Sequence, residues 1–279
     1  MPSGQAKLAG VMGWPVGHSC SPRLFGYWLD KYGIDGAYVP LAVEPRHFGQ
    51  ALRTSAVMGF RGINITVPHK TVALGVVDEA DEAARRIGAV NAVTVRDDGS
   101  LWGANTDGFG FMAHLRARAP RWRAAHGPAV VIGAGGASRA ICAALCDAGV
   151  PEVRIVNRTV ARAEAVAIAL GDPIKVMPWI ARTSALEDAS LVVNATTQGM
   201  AKEPALDLDI AGLGKDAVVY DIVYAPLETP LLRAARAAGN VAVDGLGMLI
   251  HQACPSFKAW FGVEPDVDEN LRHDLAQNI

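Results

Sequence analysis

The segment Val130-Val131-Ile132-Gly133-Ala134-Gly135-Gly136-Ala137-Ser138-Arg139 constrains the fold more than any other stretch of the chain. Three β-branched residues in a row suit a strand buried on both faces. The glycines after them suit a tight turn, and the run from about Ala137 to Ala148 suits a helix. Val153–Val156 reads as a second strand, so the segment is a β-α-β unit. Gly133 permits the turn, and Gly135 lets the backbone approach a diphosphate at the positive end of the helix dipole. Ser138 stands where the G-x-G-x-x-G pattern has its third glycine. The pattern alone is therefore degenerate, and an ordinary strand–helix turn is the plainer alternative. What favours a dinucleotide site is that strand, helix and second strand all fall at the expected spacing.

The end of the second strand selects the cofactor. A site that prefers NAD places Asp or Glu there, to accept from the ribose 2′-hydroxyl. This chain has Asn157-Arg158-Thr159, with Arg162 one step further along the next helix. No carboxylate stands there to repel a 2′-phosphate, and two guanidiniums are available to bind one. NADP is the expected cofactor. The competing description is a solvated helix start, with Thr159 as N-cap and the arginines facing water.

Strand and helix patterns alternate along all 279 residues, which predicts α/β architecture with mainly parallel sheets. Strands are expected near Lys7–Gly13, Tyr38–Val43 and Gly62–Val67, and a hairpin turns at Asp97-Asp98-Gly99. Later strands fall at Leu191–Asn194, Val218–Asp221 and Val241–Val243. The fold class is thus an N-terminal α/β substrate domain plus a Rossmann-type doubly wound NADP-binding domain, with the site in the cleft between them. The substrate domain is placed at residues 1–107, completed by C-terminal helices over 245–279, and the NADP-binding domain at 108–244. Gly108, Gly110 and Gly245 lie near the crossings, where they serve either as hinges or as ordinary turn residues.

A net charge of −2 argues against nucleic acid as a partner. No apolar run approaches the roughly 20 residues that cross a bilayer, and no signal peptide is visible, so a cytoplasmic protein is expected. Cys20, Cys142, Cys146 and Cys254 suit reduced thiols, and no set of zinc ligands stands out. A homodimer is a possible assembly.

The first third carries a different set of polar residues. Ser19 and Ser21 precede a helix, and Ser21-Pro22 would serve as an N-cap and N1 pair. Asn64 and Thr66 share one face of a strand end, with Lys70 just beyond. Asn91 adds an amide, and Asp107 a carboxylate where the first domain ends.

With these residues in view, the chain resembles the shikimate dehydrogenase family. The matching segments are GWPVGHSCSP, NITVPHK, GAVNAV, GANTDGFGF, VIGAGGASRA, VNRT, NATTQGM, YDIVYAPLETPLL and DGLGMLIHQA, in family order over nearly the whole chain. The resemblance implies reversible reduction of 3-dehydroshikimate to shikimate with NADPH, in aromatic amino-acid and chorismate biosynthesis. It implies that Ser19 and Ser21 bind the substrate carboxylate, helped by Tyr224. Asn64, Thr66, Asn91, Asp107 and Gln252 would surround the ring hydroxyls, with Lys70 and Asp107 as the catalytic pair. On the cofactor side it implies Gly133, Ala134, Gly135, Gly136, Ala137 and Ser138 for the pyrophosphate. Asn157, Arg158, Thr159 and Arg162 would take the adenosine phosphate, and Thr196, Ile222 and Gly245 the nicotinamide.

Some positions depart from that pattern. Thr197 replaces an expected serine, and Pro255 is expected to kink or stop the helix that carries Gln252. Met200 and Met248 read as pocket lining or as core filling. The nearest alternative is a quinate/shikimate dehydrogenase with relaxed substrate or cofactor use, which would carry an acid near Asn157. A non-catalytic sensor of NADP and a metabolite is the alternative from another class, and a folate-linked dehydrogenase is a more remote enzyme.

Overall fold

A computed structural model describes all residues, 1–279. The chain divides into two compact units, residues 1–106 with 252–278, and residues 107–251.

The first unit is built on a mixed six-stranded sheet. Its elements are β1 (Lys7–Gly13), α1 (Ser21–Lys31), β2 (Gly36–Ala42), α2 (Phe48–Val57), β3 (Phe60–Ile65), α3 (Lys70–Ala73), β4 (Glu79–Ala80), α4 (Glu82–Ile87), β5 (Ala92–Val95) and β6 (Leu101–Ala104). The strand order is β2-β1-β3-β5-β6-β4. β1 pairs in parallel with β2 and β3, while β5 runs antiparallel to β3 and β6. The β5–β6 hairpin turns where Asp97-Asp98-Gly99 predicts, with Gly99 at φ +82°. One face of the sheet is covered by Phe48, Leu52 and Ala84 from α2 and α4. The other carries an aromatic stack in which Phe25 of α1 lies 3.9 Å from Tyr38 of β2, ring centre to ring centre.

The second unit is doubly wound. It contains α5 (Asp107–Arg118), β7 (Ala129–Ile132), α6 (Gly136–Asp147), β8 (Val153–Asn157), α7 (Val160–Leu170), β9 (Ile174–Pro178), β10 (Leu191–Asn194), β11 (Val218–Asp221), α8 (Pro230–Ala238) and β12 (Val241–Val243). The order β12-β11-β10-β7-β8-β9 is all parallel, with the first strand of the unit at the point where the order reverses. Alternation along the strands divides the core into two layers. Val131, Ile155 and Val193 pack with α5, α6 and α7. Val130, Ile132, Val192 and Val219 pack with α8 and the short turns before β10.

Two helices finish the chain, α9 (Leu246–Phe261) and α10 (Glu269–Ala276). Pro255 does not stop α9, which runs on for six further residues. The division between units falls within this helix, between His251 and Gln252, and again between Thr106 and Asp107. The sequence placed those boundaries seven residues and one residue away. The reason is local packing: Gly247 lies against the ring of His114 on α5, so the first half of α9 belongs with the second unit. No helix is long and apolar enough to cross a membrane.

Candidate active site

In the first unit, the buried amides of the N-terminal third are joined in a hydrogen-bonded net. The amide orientations follow from what each partner can do. The backbone N–H of Thr106 can only donate, and it meets Asn91 Oδ1 at 2.8 Å. Asn91 Nδ2 therefore points the other way, donating to Thr106 Oγ1 at 3.0 Å and Gln252 Oε1 at 2.9 Å. Thr106 Oγ1 in turn donates to the carbonyl of Gln252 at 2.8 Å. Gln252 is thus held by its backbone and its amide oxygen, which leaves Nε2 as the end that can address a ligand. Asn91, expected to touch substrate, spends both amide hydrogens on holding Thr106 and Gln252.

Asn64 is fixed in the same way. Its Nδ2 donates to the carbonyl of Asn91 and to Ser256 Oγ, both at 3.2 Å. Its Oδ1 accepts from the hydroxyl of Tyr38 at 2.7 Å. Separately, Ser21 N donates to Ser19 Oγ at 3.3 Å. Three of the expected residues, Asn64, Asn91 and Gln252, are linked, while Ser19 and Ser21 form a pair of their own. Tyr38 and Thr106, which the sequence reading did not single out, complete the net.

One expectation about this region changes. Ser21 does not cap α1: it is the first helical residue, Cys20 takes the cap position, and no side chain caps the helix. Thr66 and Lys70 enter the arrangement through backbone bonds, Thr66 N to Met12 O and Val90 N to Lys70 O. His69 anchors the residue before Lys70. Its ring is buried, stacks on Phe48 at 4.4 Å and bonds the carbonyl of Val43 at 2.8 Å.

The second unit holds the remaining candidates. Asp107 opens α5 and is buried, and Tyr224 follows β11, half-buried. The glycine turn leaves β7 with Gly133 at φ +114°, where a Cβ would meet Ala195 O at 2.8 Å. Only glycine meets both requirements. A Cβ on Gly135 would meet nothing within 4 Å, and α6 starts there without a side-chain cap. The turn therefore presents open backbone and unsatisfied N–H groups at a helix N-terminus, as a diphosphate requires. Ser138 is fully buried and its hydroxyl donates to Gly133 O, so it shapes the loop from behind. At the end of β8, Asn157 Nδ2 donates to Thr159 O at 2.8 Å. Thr159 is the N-cap of α7, yet its hydroxyl makes no cap bond. Arg158 and Arg162 are exposed and neither forms an ion pair.

Thr196, Ile222 and Gly245 sit at the carboxyl ends of β10, β11 and β12, where open parallel sheets bind ligands. Gly245 is closely packed: a Cβ there would stand 2.1 Å from Ile222 O. Gly108 likewise packs against α6, with a Cβ 2.9 Å from Ala140 O. Met248 is buried in the core beside α5 and α6, the filling role.

Beneath these loops lies a carboxylate that the sequence reading missed. Asp221 pairs across β10–β11 with Asn194 and is fully buried. Its Oδ1 accepts from Asn194 Nδ2 at 2.9 Å and Val223 N at 3.0 Å, and its Oδ2 from Thr229 Oγ1 at 2.7 Å. Asn194 Oδ1 accepts from Thr196 Oγ1 at 2.7 Å, so Thr196 is held through this hub. Burial outweighs the three donors and pushes the Asp221 carboxyl up to about 6 from an ordinary 3.8. The folded state therefore holds this proton where the unfolded chain has lost it. The resulting stability is fully present below about pH 4, declines as pH rises toward about 6, and is level above. The shift corresponds to about 3 kcal/mol at most. Asp78, held low by the Leu101 N–H and by Arg53, and Asp274, held low by Arg23, act in the opposite sense. Comparison with Asp221→Asn cancels their effect. In urea titrations, the stability difference between wild type and Asp221→Asn is expected to move toward wild type by about 2–3 kcal/mol from pH 6 to pH 4. A difference that stays constant with pH would show that Asp221 does not titrate in this way.

A parallel sheet with an open glycine turn and an arginine pair at its strand ends defines a dinucleotide-binding dehydrogenase unit. A hydroxyl–amide net lies on the other α/β unit. Three family models match: the shikimate dehydrogenase substrate binding domain over residues 11–93, shikimate / quinate 5-dehydrogenase over 118–207, and the shikimate 5′-dehydrogenase C-terminal domain over 245–269. The chain belongs to the shikimate dehydrogenase family. It is 57% identical over 276 residues to the shikimate dehydrogenase (NADP(+)) of Rhodospirillum rubrum, covering 98% of each chain. Among solved structures it resembles shikimate 5-dehydrogenase from Thermus thermophilus in complex with NADP(H) and shikimate. The TM-score there is 0.85 at 36% identity, over 98% of this chain and 99% of that one. It also resembles the quinate dehydrogenase of Corynebacterium glutamicum in complex with NAD, with TM-score 0.90 at 32% identity over 98% and 99%.

Proposed function

We propose that this chain is an NADP-dependent shikimate dehydrogenase that reversibly reduces 3-dehydroshikimate to shikimate, in the cytoplasm, as a step of aromatic amino-acid biosynthesis. End-to-end identity of 57% to an enzyme of that name carries the reading. The two sets of residues described above support it. Gly133 to Ala137 would hold the pyrophosphate, with Ser138 buttressing the loop. Asn157, Arg158, Thr159 and Arg162 would hold the adenosine 2′-phosphate, and Thr196, Ile222 and Gly245 would border the nicotinamide. When bound, NADP(H) supplies or accepts the hydride.

The protein's own groups do the rest. Ser19, Ser21 and Tyr224 bind the substrate carboxylate through hydroxyls, and Gln252 Nε2 donates to a ring hydroxyl. Thr66 adds a hydroxyl at the end of β3, and Asn64 offers an acceptor, since both its amide hydrogens are committed. Reduction of the carbonyl builds negative charge on its oxygen, and Lys70 Nζ places a positive charge there. Asp107 accepts from a substrate hydroxyl.

The likeness to a quinate dehydrogenase with NAD supports a second reading, relaxed use of quinate or NAD. Arg158 and Arg162, with no acid beside Asn157, favour the first. Absorbance at 340 nm with shikimate or quinate, each with NADP+ or NAD+, tests the two. Turnover confined to shikimate with NADP+ is the expected result. Comparable rates with quinate or NAD+ would favour the second reading, and no turnover in any combination would refute both.

A further inference from the structure

Two acceptors at the carboxyl ends of β10 and β11 owe their direction to one buried carboxylate. The backbone N–H of Thr196 can only donate, and the carbonyl of Gln198 can only accept. Asn194 therefore turns Oδ1 to the first, at 3.1 Å, and Nδ2 to the second, at 3.0 Å. The Thr196 hydroxyl must then give its one proton to Asn194 Oδ1. Its oxygen accepts from Gln198 N at 3.1 Å and keeps one lone pair. Thr196 thus offers an acceptor and has no donor left to offer. The second hydrogen of Asn194 Nδ2 goes to Asp221 Oδ1, which fixes the amide from behind. The same Oδ1 takes the N–H of Val223 at 3.0 Å. The Ile222–Val223 peptide is trans, so turning its N–H to Asp221 turns the Ile222 carbonyl the opposite way. Ile222 is half-buried, and no group of the protein donates to that carbonyl.

We propose that Asp221 is a positioning residue for the nicotinamide, aiming Thr196 Oγ1 and the Ile222 carbonyl as a pair of acceptors for the carboxamide NH2. This rests on the assignment of Thr196 and Ile222 to the nicotinamide end of the cofactor. The chemistry of the ring selects the group: its only hydrogen-bond donor is the carboxamide nitrogen, which carries two hydrogens. A hydroxyl free to rotate would serve either end of a carboxamide equally. The Asn194–Asp221 pair removes that choice and so fixes which end faces β10. Gly245 keeps room beside the second acceptor, since a Cβ there would lie 2.1 Å from Ile222 O. Asp221 itself is fully buried, and its influence on the two acceptors runs through Asn194 and the Val223 N–H.

The 3-acetylpyridine analogue of NADP+, which has a methyl group in place of the amide nitrogen, reads these bonds directly. In isothermal titration calorimetry, wild type is expected to bind the analogue about tenfold more weakly than NADP+, the worth of one or two hydrogen bonds. Asp221→Ala releases both Asn194 and the Val223 N–H. It should weaken NADP+ about tenfold and leave the analogue within about twofold, which erases the preference. Asp221→Asn should keep most of the preference, because an amide oxygen can stand in for Oδ1. Equal affinity of wild type for the two dinucleotides would overturn the proposal. So would an equal loss for both in Asp221→Ala, the mark of a merely structural carboxylate. Should a thermal melt show Asp221→Ala unfolded, Thr196→Val decides, since it keeps the shape and removes one acceptor. A preference cut about threefold upholds the proposal, and an unchanged preference overturns it. Thr196→Phe checks the underlying assignment: it should weaken NADP+ and spare adenosine 2′,5′-bisphosphate, which has no nicotinamide. No loss for NADP+ would mean that the assignment fails, and the proposal with it, whatever Asp221→Ala does.

Discussion

Lys70→Ala is expected to lower kcat for shikimate oxidation by about 10³-fold while the protein stays folded. The backbone bond from Val90 N to Lys70 O does not depend on the side chain, and His69 holds the preceding residue in place. The side chain is only partly buried, so its removal leaves no large cavity. The loss should therefore appear in kcat far more than in either KM, the signature of an interaction made chiefly in the transition state. Steady-state kinetics with both substrates, beside a thermal melt, make the comparison. A kcat within tenfold of wild type would remove Lys70 from the catalytic role. A collapsed melting temperature would make it structural instead.

Arg158→Ala/Arg162→Ala is expected to raise the KM for NADP+ by about 10²-fold and leave the KM for NAD+ nearly unchanged. Charge-assisted bonds to a phosphate are worth about 1.5–3 kcal/mol each, less when exposed, and both guanidiniums here are exposed. Two such contacts account for the size of the effect. Neither arginine forms an ion pair, so their loss should cost little stability. A parallel rise for both cofactors would mean that the arginines act on a part the two dinucleotides share.

Much of this was legible in the sequence, and what was not has a common cause. The glycine turn can be read because strand, turn and helix are contiguous, and each carries its own local signal. β9 was missed because Ile174–Pro178 is five residues that follow one proline and end on another, and it gains strand character only by pairing with β8. Ser21-Pro22 has the composition of a cap, but the helix begins one residue earlier than a cap there requires, with Cys20 in the cap position. Tyr38 reads as an apolar strand residue, and Thr106 as a spacer before Asp107. Their importance depends on partners 26 and 146 positions away. Asp221 lies within a matched motif, yet its role requires β10 and β11 to be in register. Chemistry held in neighbouring residues can be read from a sequence, whereas chemistry assembled by sheet pairing needs the fold.

The first unit is made from two stretches of chain that are far apart, residues 1–106 and 252–278. Trp260, Phe257 and Phe261 stand in its aromatic stack beside Phe25, and the indole of Trp260 fills the space over Gly62. Ribosomes make the chain from its N-terminus, so β1 to β6 leave the exit tunnel with one face of their sheet covered only in part, by α1. The second unit, encoded later as one uninterrupted stretch, has all its strands before those aromatics exist. The part of the protein that is translated first is therefore the last to be finished, and until then its uncovered sheet is the surface most exposed to chaperones and to aggregation.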